Sequence, residues 1–514
     1  MLRSRSSISR PMGFSLISVL LVSLLLFSNL LIDDVFYLFS SFQVFLSSLQ
    51  TAVKAQLNSN SLSVLDSVVL ATKGPVISSD KLNDSPNTTA DDTITLKAVL
   101  TDLGEKGRWE SLLEKGLEKL QGKYPHTHFS LEYNVYPTND TRDNFLQLMS
   151  NKTPVDIVSV DQIWLGEFAS KGLLSNLSGY VDMWGRASDW YQQHWDGGTY
   201  NGTVYGIWTW TDVRGIWYWK DLLRQAQVNP ESLKTWKGYI DSAQKLNQVF
   251  KSAGLNGTVL FDTYYSQDMW FPYLWMLGGD ILELREGHPT KGTYWFPAYN
   301  SSEGIRASGY IRDQINAGIK PAKPPANVSC SLEPRLCSLD HEFAQRRIAM
   351  MLGGSWIPGE FPNVTKQDFE NRIGFVPMFP VPSLDTQSST LMGGWEVAVP
   401  LTSDHKGLAW ELIADMLDPE VLGPWIQRYG YLPTQIPLGQ GLTLNQSSSD
   451  LPYYDTLISM IPLGDIRPSI PEYPVIAGHI HEALHNIYHS NSTKVNISSI
   501  LNNAAIKSAH ALGW

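Results

Sequence analysis

The residues whose types and spacing come nearest to a catalytic signature are His481-Glu482-Ala483-Leu484-His485. At i and i+4 on a helix two imidazoles reach one zinc ion, and the intervening glutamate activates a water on it. His489 stands one further turn along the same face. No Asp or Glu follows Glu482, so a downstream acidic third ligand is missing, and the Gly-containing spacing to a third histidine is absent. Gly353-Gly-Ser-Trp-Ile lacks the last glycine of a nucleophile elbow. The chain has no G-x-x-x-x-G-K-[ST] loop to cradle a nucleotide phosphate, so ATP hydrolysis would belong to a partner chain. Two cysteines, Cys330 and Cys337, provide neither a Cys-rich zinc site nor a disulfide scaffold. They sit in a Pro-rich stretch, as a small loop disulfide or as two free thiols.

Polar chemistry is richer than charged chemistry. Of 514 residues 17% are charged, below the ~25% of a typical soluble domain, with 39 basic against 50 acidic and a formal charge of −11. That balance argues against a nucleic-acid partner, which needs clustered Lys and Arg. Asn-x-Ser/Thr occurs at Asn83, Asn87, Asn139, Asn151, Asn176, Asn201, Asn256, Asn300, Asn327, Asn363, Asn445, Asn491 and Asn496. These are 13 of 25 asparagines, where Ser and Thr frequency alone predicts about 4. The pattern is that of a glycoprotein exposed outside the cell.

The N-terminus agrees. Arg3, Arg5 and Arg10 precede an uncharged run from Gly13 to Ile32, closed by Asp33 and Asp34. Such a run spans about 30 Å as a helix, the thickness of a hydrocarbon core. The expectation is a membrane anchor over residues 1–50 with its transmembrane helix at about 13–32. The flanking arginines place the N-terminus in the cytoplasm and everything after the helix outside the cell, a single-pass topology. A cleaved signal peptide is the alternative, against which stand the length of the run and the lack of a small-x-small cleavage site. Residues 51–92 read as a flexible stalk, ending in the polar run Ser79 to Asp92, whose composition cannot bury enough apolar surface to fold by itself.

From Thr93 the pattern becomes strand and helix in alternation. Thr95-Leu-Lys-Ala-Val-Leu, His128 to Val135 and Val155 to Val160 read as strands, and Trp109 to Tyr124 as a helix with apolar 3–4 spacing. Strands separated by helices predict a parallel α/β sheet covered on both faces, and the length of the body predicts two lobes.

Several segments then occur in a known order. Val155-Asp-Ile-Val-Ser-Val-Asp-Gln-Ile-Trp-Leu-Gly-Glu-Phe-Ala-Ser-Lys-Gly-Leu-Leu is followed by Tyr205-Gly-Ile-Trp-Thr-Trp-Thr-Asp-Val-Arg-Gly-Ile-Trp-Tyr-Trp-Lys-Asp-Leu-Leu. Phe343-Ala-Gln-Arg-Arg-Ile-Ala-Met-Met-Leu-Gly-Gly-Ser-Trp, Gly393-Gly-Trp-Glu-Val-Ala-Val-Pro, Asp418-Pro-Glu-Val and Tyr429-Gly-Tyr-Leu-Pro-Thr come after. Over about residues 93 to 514 this order resembles the extracellular solute-binding proteins of ABC transporters, in the sugar- and oligosaccharide-binding, maltose-binding-protein-like group. The resemblance implies a periplasmic-binding-protein-like α/β fold of two lobes joined by hinge strands and closing on ligand. Lobe 1 is expected at about 93–210 and 354–393, lobe 2 at about 211–353 and 394–514. It also implies capture of a sugar and delivery to a permease, with no cofactor and no enzymatic step. The same fold could take a polyol, a glycerol phosphate or a peptide.

A sugar needs aromatic platforms for its C–H faces and carboxylates, amides and Arg for its hydroxyls. Carried over segment by segment, the resemblance puts Asp161 and Trp164 at the end of the third strand. Trp210, Asp212 and Arg214 fall at the first crossing, and Asp268 and Trp270 just before a helix of lobe 2. Trp356 follows the returning strand, Gly394 and Trp395 lie at the last crossing, and Tyr431 closes the far wall. The loop Asp102 to Glu105 is a further candidate. Each has a bland alternative: core packing for the tryptophans, a hinge ion pair for Asp212 and Arg214, a helix cap for Asp268, hinge dihedrals for Gly394. Trp208, Trp217, Trp219, Trp275 and Trp410 are expected in the core.

Overall fold

The computed structural model describes residues 93–103, 107–252, 267–319, 339–361, 364–444, 451–490 and 495–514. The expected anchor, the stalk, Cys330 and Cys337 lie outside the described residues, as do the sequons at Asn83, Asn87, Asn256, Asn327, Asn363, Asn445 and Asn491. Among the described residues no helix is long and apolar enough to cross a membrane. The chain divides after Ser78, and every described residue belongs to the second unit.

Nine strands position the site: β1 (Thr93–Asp102), β2 (His128–Pro137), β3 (Ile157–Asp161), β4 (Gly206–Asp212), β5 (Arg214–Trp219), β6 (Met350–Gly354), β7 (Ile373–Val376), β8 (Gly393–Ala398) and β9 (Leu432–Pro433). The first lobe is built on a six-stranded sheet in the order β9-β4-β8-β3-β1-β2. As the alternation predicts, β1 pairs with β2 and β3 in parallel. The far half departs from that expectation: β8 runs antiparallel to β3 and to β4, and β9 antiparallel to β4. Apolar helix stripes cover the sheet. The helix Arg108–Lys123 buries Trp109, Leu112, Leu113, Gly116 and Leu120, one face at 3–4 spacing. A Cβ at Gly116 would stand 2.9 Å from Met416 Cβ, so the missing side chain lets the helix Lys406–Met416 pack close.

The second lobe has a three-stranded antiparallel sheet, β6-β5-β7, wrapped by helices that include Trp236–Ser252, Gln267–Met276, Ser302–Asn316, Tyr473–His489 and Ile497–Ala511. The two lobes share one continuous strand path. β4 and β5, buried along their whole length, are separated only by Val213, so the chain leaves one sheet and enters the other within a residue.

The expected allocation of 354–393 to lobe 1 and of all of 394–514 to lobe 2 does not hold. β7 pairs with β5, and Ile357, Phe369 and Phe379 belong to the core of lobe 2. β8 and the residues Leu408 to Ile426 belong to the core of lobe 1. The physical reason is that the apolar run Met350–Gly354, which resembles a crossing, is a core strand paired with β5 along its length. The return crossing comes at 390–393. Trp208, Trp217, Trp219 and Trp410 are buried as expected, and Trp275 is partly buried against the core of lobe 2.

Candidate functional site

The C-terminal end of β3, the β4–β5 crossing and the start of β8 meet at one place, and a cavity of about 740 Å³ opens there between the lobes. That is the location where ligands of open α/β sheets bind. Lobe 1 contributes Asp102, Arg108, Asp161, Trp210, Tyr429 and Tyr431 to its wall; lobe 2 contributes Asp268, Asp340, Trp356 and Glu360. The crossing strands add Asp212, Arg214, Gly393, Gly394 and Trp395, and the approach to the C-terminal helices adds Arg467.

The floor is ionic. Asp161 ends β3, caps the helix Gln162–Ser170 by accepting from the Ile163 amide at 3.4 Å, and meets Arg467 at 3.1 Å. Arg467 reaches Asp268 at 3.4 Å, Arg214 approaches the same Asp268 oxygen at 3.8 Å, and Arg214 meets Asp212 at 3.4 Å. The Gln162 amide holds this arrangement by donating to the Arg467 carbonyl at 2.7 Å. Burial pushes the carboxyls of Asp161 and Asp212 above the usual range, although Arg467 and Arg214 respectively pull them down. Burial disfavours the Arg467 guanidinium, but Asp268 and Asp161 more than reverse this and raise it.

The walls are aromatic. Trp356 donates its indole N–H to Asp340 at 2.8 Å and lies against Gly354, where any side chain would collide with its ring. The Arg214 guanidinium stands 5.5 Å from the centre of that ring. Trp395 is supported from behind by Trp164, edge-on at 5.6 Å between centroids. Tyr431 stacks on Trp210 at 4.9 Å and accepts a hydrogen bond from Arg108 at 2.7 Å. Trp356 and Trp395 keep partial exposure, whereas Trp210 is only 1% exposed. The two half-buried indoles are therefore the surfaces a ligand can lie on.

Gly393 and Gly394 make this convergence sterically possible. A Cβ at Gly393 would stand 2.6 Å from Asp212 Oδ2, and one at Gly394 would fall on the Trp210 carbonyl oxygen. Gly394 also has φ +146, which an L side chain resists. Beneath the site on β8 lies Glu396, fully buried, its carboxyl pushed well above the usual range by burial and by Asp161.

Of the sequence-expected residues, Asp161, Trp210, Asp212, Arg214, Asp268, Trp356, Gly394, Trp395 and Tyr431 all border this cavity, and Asp102 of the first-strand loop does too. Gly104 and Glu105 of that loop lie outside the described residues. Two do not line the cavity. Trp164 is 7% exposed and packs beneath Trp395, because a residue one turn into its helix points back at the sheet. Trp270 is fully buried in lobe 2. The helix begins at Gln267, so Asp268 and Trp270 sit in its first turn rather than before it. Arg108, Asp340, Glu360, Tyr429 and Arg467 went unread. Arg467 had one signal, a lone cation in the apolar, Pro-flanked stretch Ile461-Pro-Leu-Gly-Asp-Ile-Arg-Pro.

The zinc-like motif lies elsewhere. His481, Glu482 and His485 are exposed on the helix Tyr473–His489, and the Glu482 carboxylate pairs with Lys507 at 2.7 Å. Among the described residues no three His, Cys, Asp or Glu side chains gather as a metal site would require.

Two lobes, a hinge of crossing strands and a polar-floored, aromatic-walled cavity between them define a solute-binding protein. The family described as bacterial extracellular solute-binding protein matches residues 118–435, and the chain belongs to it. The arabinooligosaccharide-binding protein of Bacillus subtilis (strain 168) is 24% identical over 311 residues, 60% of this chain and 66% of that protein, just under two thirds of its length. Among solved structures, the fold is similar to a solute-binding protein from Thermotoga lettingae bound with α-D-tagatose. The TM-score is 0.65, at 22% identity over 82% of this chain and 100% of that one. Maltose-bound MalE3 of T. maritima gives 0.64, at 18% identity over 81% of this chain and 100% of that one.

Proposed function

We propose that the protein is the extracellular substrate-binding component of an ABC transporter, capturing a sugar or oligosaccharide between its lobes and delivering it to the membrane permease. The observation that carries this reading is the pairing of two half-buried indoles, Trp356 and Trp395, with a floor of guanidinium-held carboxylates in one cavity. Indole faces match the C–H faces of a pyranose or furanose ring, and carboxylates fixed by Arg accept from its hydroxyls without reorganising. Binding is reversible, and closure of the lobes presents the permease with a distinct shape.

The saccharide-binding relatives support the ligand class, and the N-terminal apolar run supports an anchor that keeps the binding domain at the outer surface. Glycosylation fits the described sequons: Asn151, Asn176, Asn201, Asn300 and Asn496 are all at least partly exposed.

Intrinsic tryptophan fluorescence of the full chain, titrated with a panel of mono- and oligosaccharides with and without zinc, tests the reading. A saturable change with one sugar class, lost in Trp395→Ala and indifferent to zinc, is expected. Silence toward every sugar, combined with stoichiometric zinc uptake that His481→Ala and His485→Ala abolish, would replace it with a metal-site function.

A further inference from the structure

The floor of the cavity is an alternating chain of charges that starts and ends on a carboxylate: Asp161, Arg467, Asp268, Arg214, Asp212. Three carboxylates share two guanidiniums, so the chain has one negative charge too many. None of the five side chains is more than 19% exposed, which limits how much water can screen the excess. Among the described residues, the rest of the wall carries Asp102, Asp340 and Glu360 together with Arg108. Beyond burial, which raises them most, the carboxyls of Asp161 and Asp212 at the two ends of the chain are each pushed up by the Asp268 carboxylate.

A buried charge without its full complement of opposite charge is costly, and a ligand that brings the missing charge relieves that cost on binding. An ammonium group has three donors and no acceptor, which suits a surface lined by carboxylate oxygens. An acid or phosphate group on the ligand would instead deepen the imbalance. We infer that the cleft is built for a saccharide carrying a protonated amino group, favouring it over the neutral counterpart and rejecting uronic and phosphorylated sugars. This rests on the saccharide reading and narrows it. The aromatic platforms fix where the rings lie; the floor fixes which charge they carry.

The test uses matched probes on the full chain at about pH 6, where such an amine is protonated. Glucose, glucosamine and glucuronate form one series and galactose, galactosamine and galacturonate a second. A third is cellobiose, the glucosamine disaccharide and cellobiuronic acid. Calorimetry or tryptophan fluorescence reads the dissociation constants. In whichever series binds, the amine form is expected at least tenfold tighter than the neutral form, and the acid form at least tenfold weaker. Asp161→Asn or Asp212→Asn equalises carboxylates and guanidiniums in the chain, and each should bring the amine-to-neutral ratio toward one, whatever happens to the absolute affinities. Two substitutions at opposite ends guard against one variant failing to fold. A neutral sugar bound as tightly as its amine, with a ratio that neither substitution moves, overturns the inference and leaves the saccharide reading standing. A folded protein that binds no member of any series overturns both.

Discussion

Replacing Arg467 with Met tests the ionic floor most directly, because the thioether keeps much of the stem's volume while removing the charge. The side chain is 8% exposed and holds two carboxylates, Asp161 at 3.1 Å and Asp268 at 3.4 Å, themselves 18% and 19% exposed. Breaking a buried ion pair from one side costs about 3–5 kcal/mol, since the remaining charge stays buried without a partner. Asp268 retains Arg214 at 3.8 Å, so most of the loss falls on Asp161. A net destabilisation of about 2–4 kcal/mol at pH 7 is expected. Its pH dependence has a definite sign. Without Arg467 the folded pKa of Asp161 rises further above its unfolded value of about 3.9. Such a group contributes stability below the unfolded value and loses it as pH rises through the folded one. The deficit relative to the native protein is therefore largest at neutral pH and shrinks toward about pH 4. Urea unfolding followed by tryptophan emission at pH 7, 5.5 and 4 measures it. A deficit below about 1 kcal/mol at pH 7, as for an exposed pair, would refute the account. So would a deficit that does not change with pH.

Glu396→Gln should act in the opposite sense. The native carboxyl is raised far above its unfolded value by burial, so native stability falls by up to about 1.4 kcal/mol per pH unit between the two values. The glutamine variant lacks that slope and should gain on the native protein as pH rises above the unfolded value of about 4.3; parallel urea curves would mean the Glu396 carboxyl is not raised. Trp356→Ala and Trp395→Ala should each weaken saccharide binding by about tenfold, about 1.4 kcal/mol, in calorimetric titration, and unchanged affinity in both would remove the platforms from the site. Gly394→Ala places a methyl on the Trp210 carbonyl at a φ that alanine resists, and should cost about 2 kcal/mol or more in a urea titration. A neutral result there would mean the crossing has slack that its geometry does not show.

How far the sequence could be read depended on whether a residue's neighbours in space were its neighbours in the chain. β1 to β3 and the helix Arg108–Lys123 were legible because their apolar spacing is local. Asp161 was legible as the residue that ends β3. Trp164 and Trp395 were indistinguishable by type, yet one lies beneath the other, because the sheet decides which indole is covered. Met350–Gly354 read as a crossing because an apolar strand ending in two glycines looks the same whether it joins two sheets or pairs within one. Arg467 was hidden for a third reason. The helix Gln162–Ser170 draws its loop to the cleft from 305 positions away, and the approach of Gly166 to Ser469 and Ile470 leaves no mark on either sequence segment.

The insertion of β8 between β3 and β4 has a consequence for how the protein is made. On the ribosome β3 is complete at Asp161 and β4 at Asp212, yet the strand that must bridge them starts only at Gly393. At ~5–20 residues per second that delay is on the order of 10–50 s. During it two apolar strands, one from each side of an unfilled slot, present open edges to any other chain. The sheet strands of lobe 2, β5, β6 and β7, can pair in the meantime, but the helices Tyr473–His489 and Ile497–Ala511 that complete its core come last of all. Truncation just before 393 should therefore yield an aggregation-prone fragment in which both lobes are unfinished, the first waiting for β8 and the second for its last two helices.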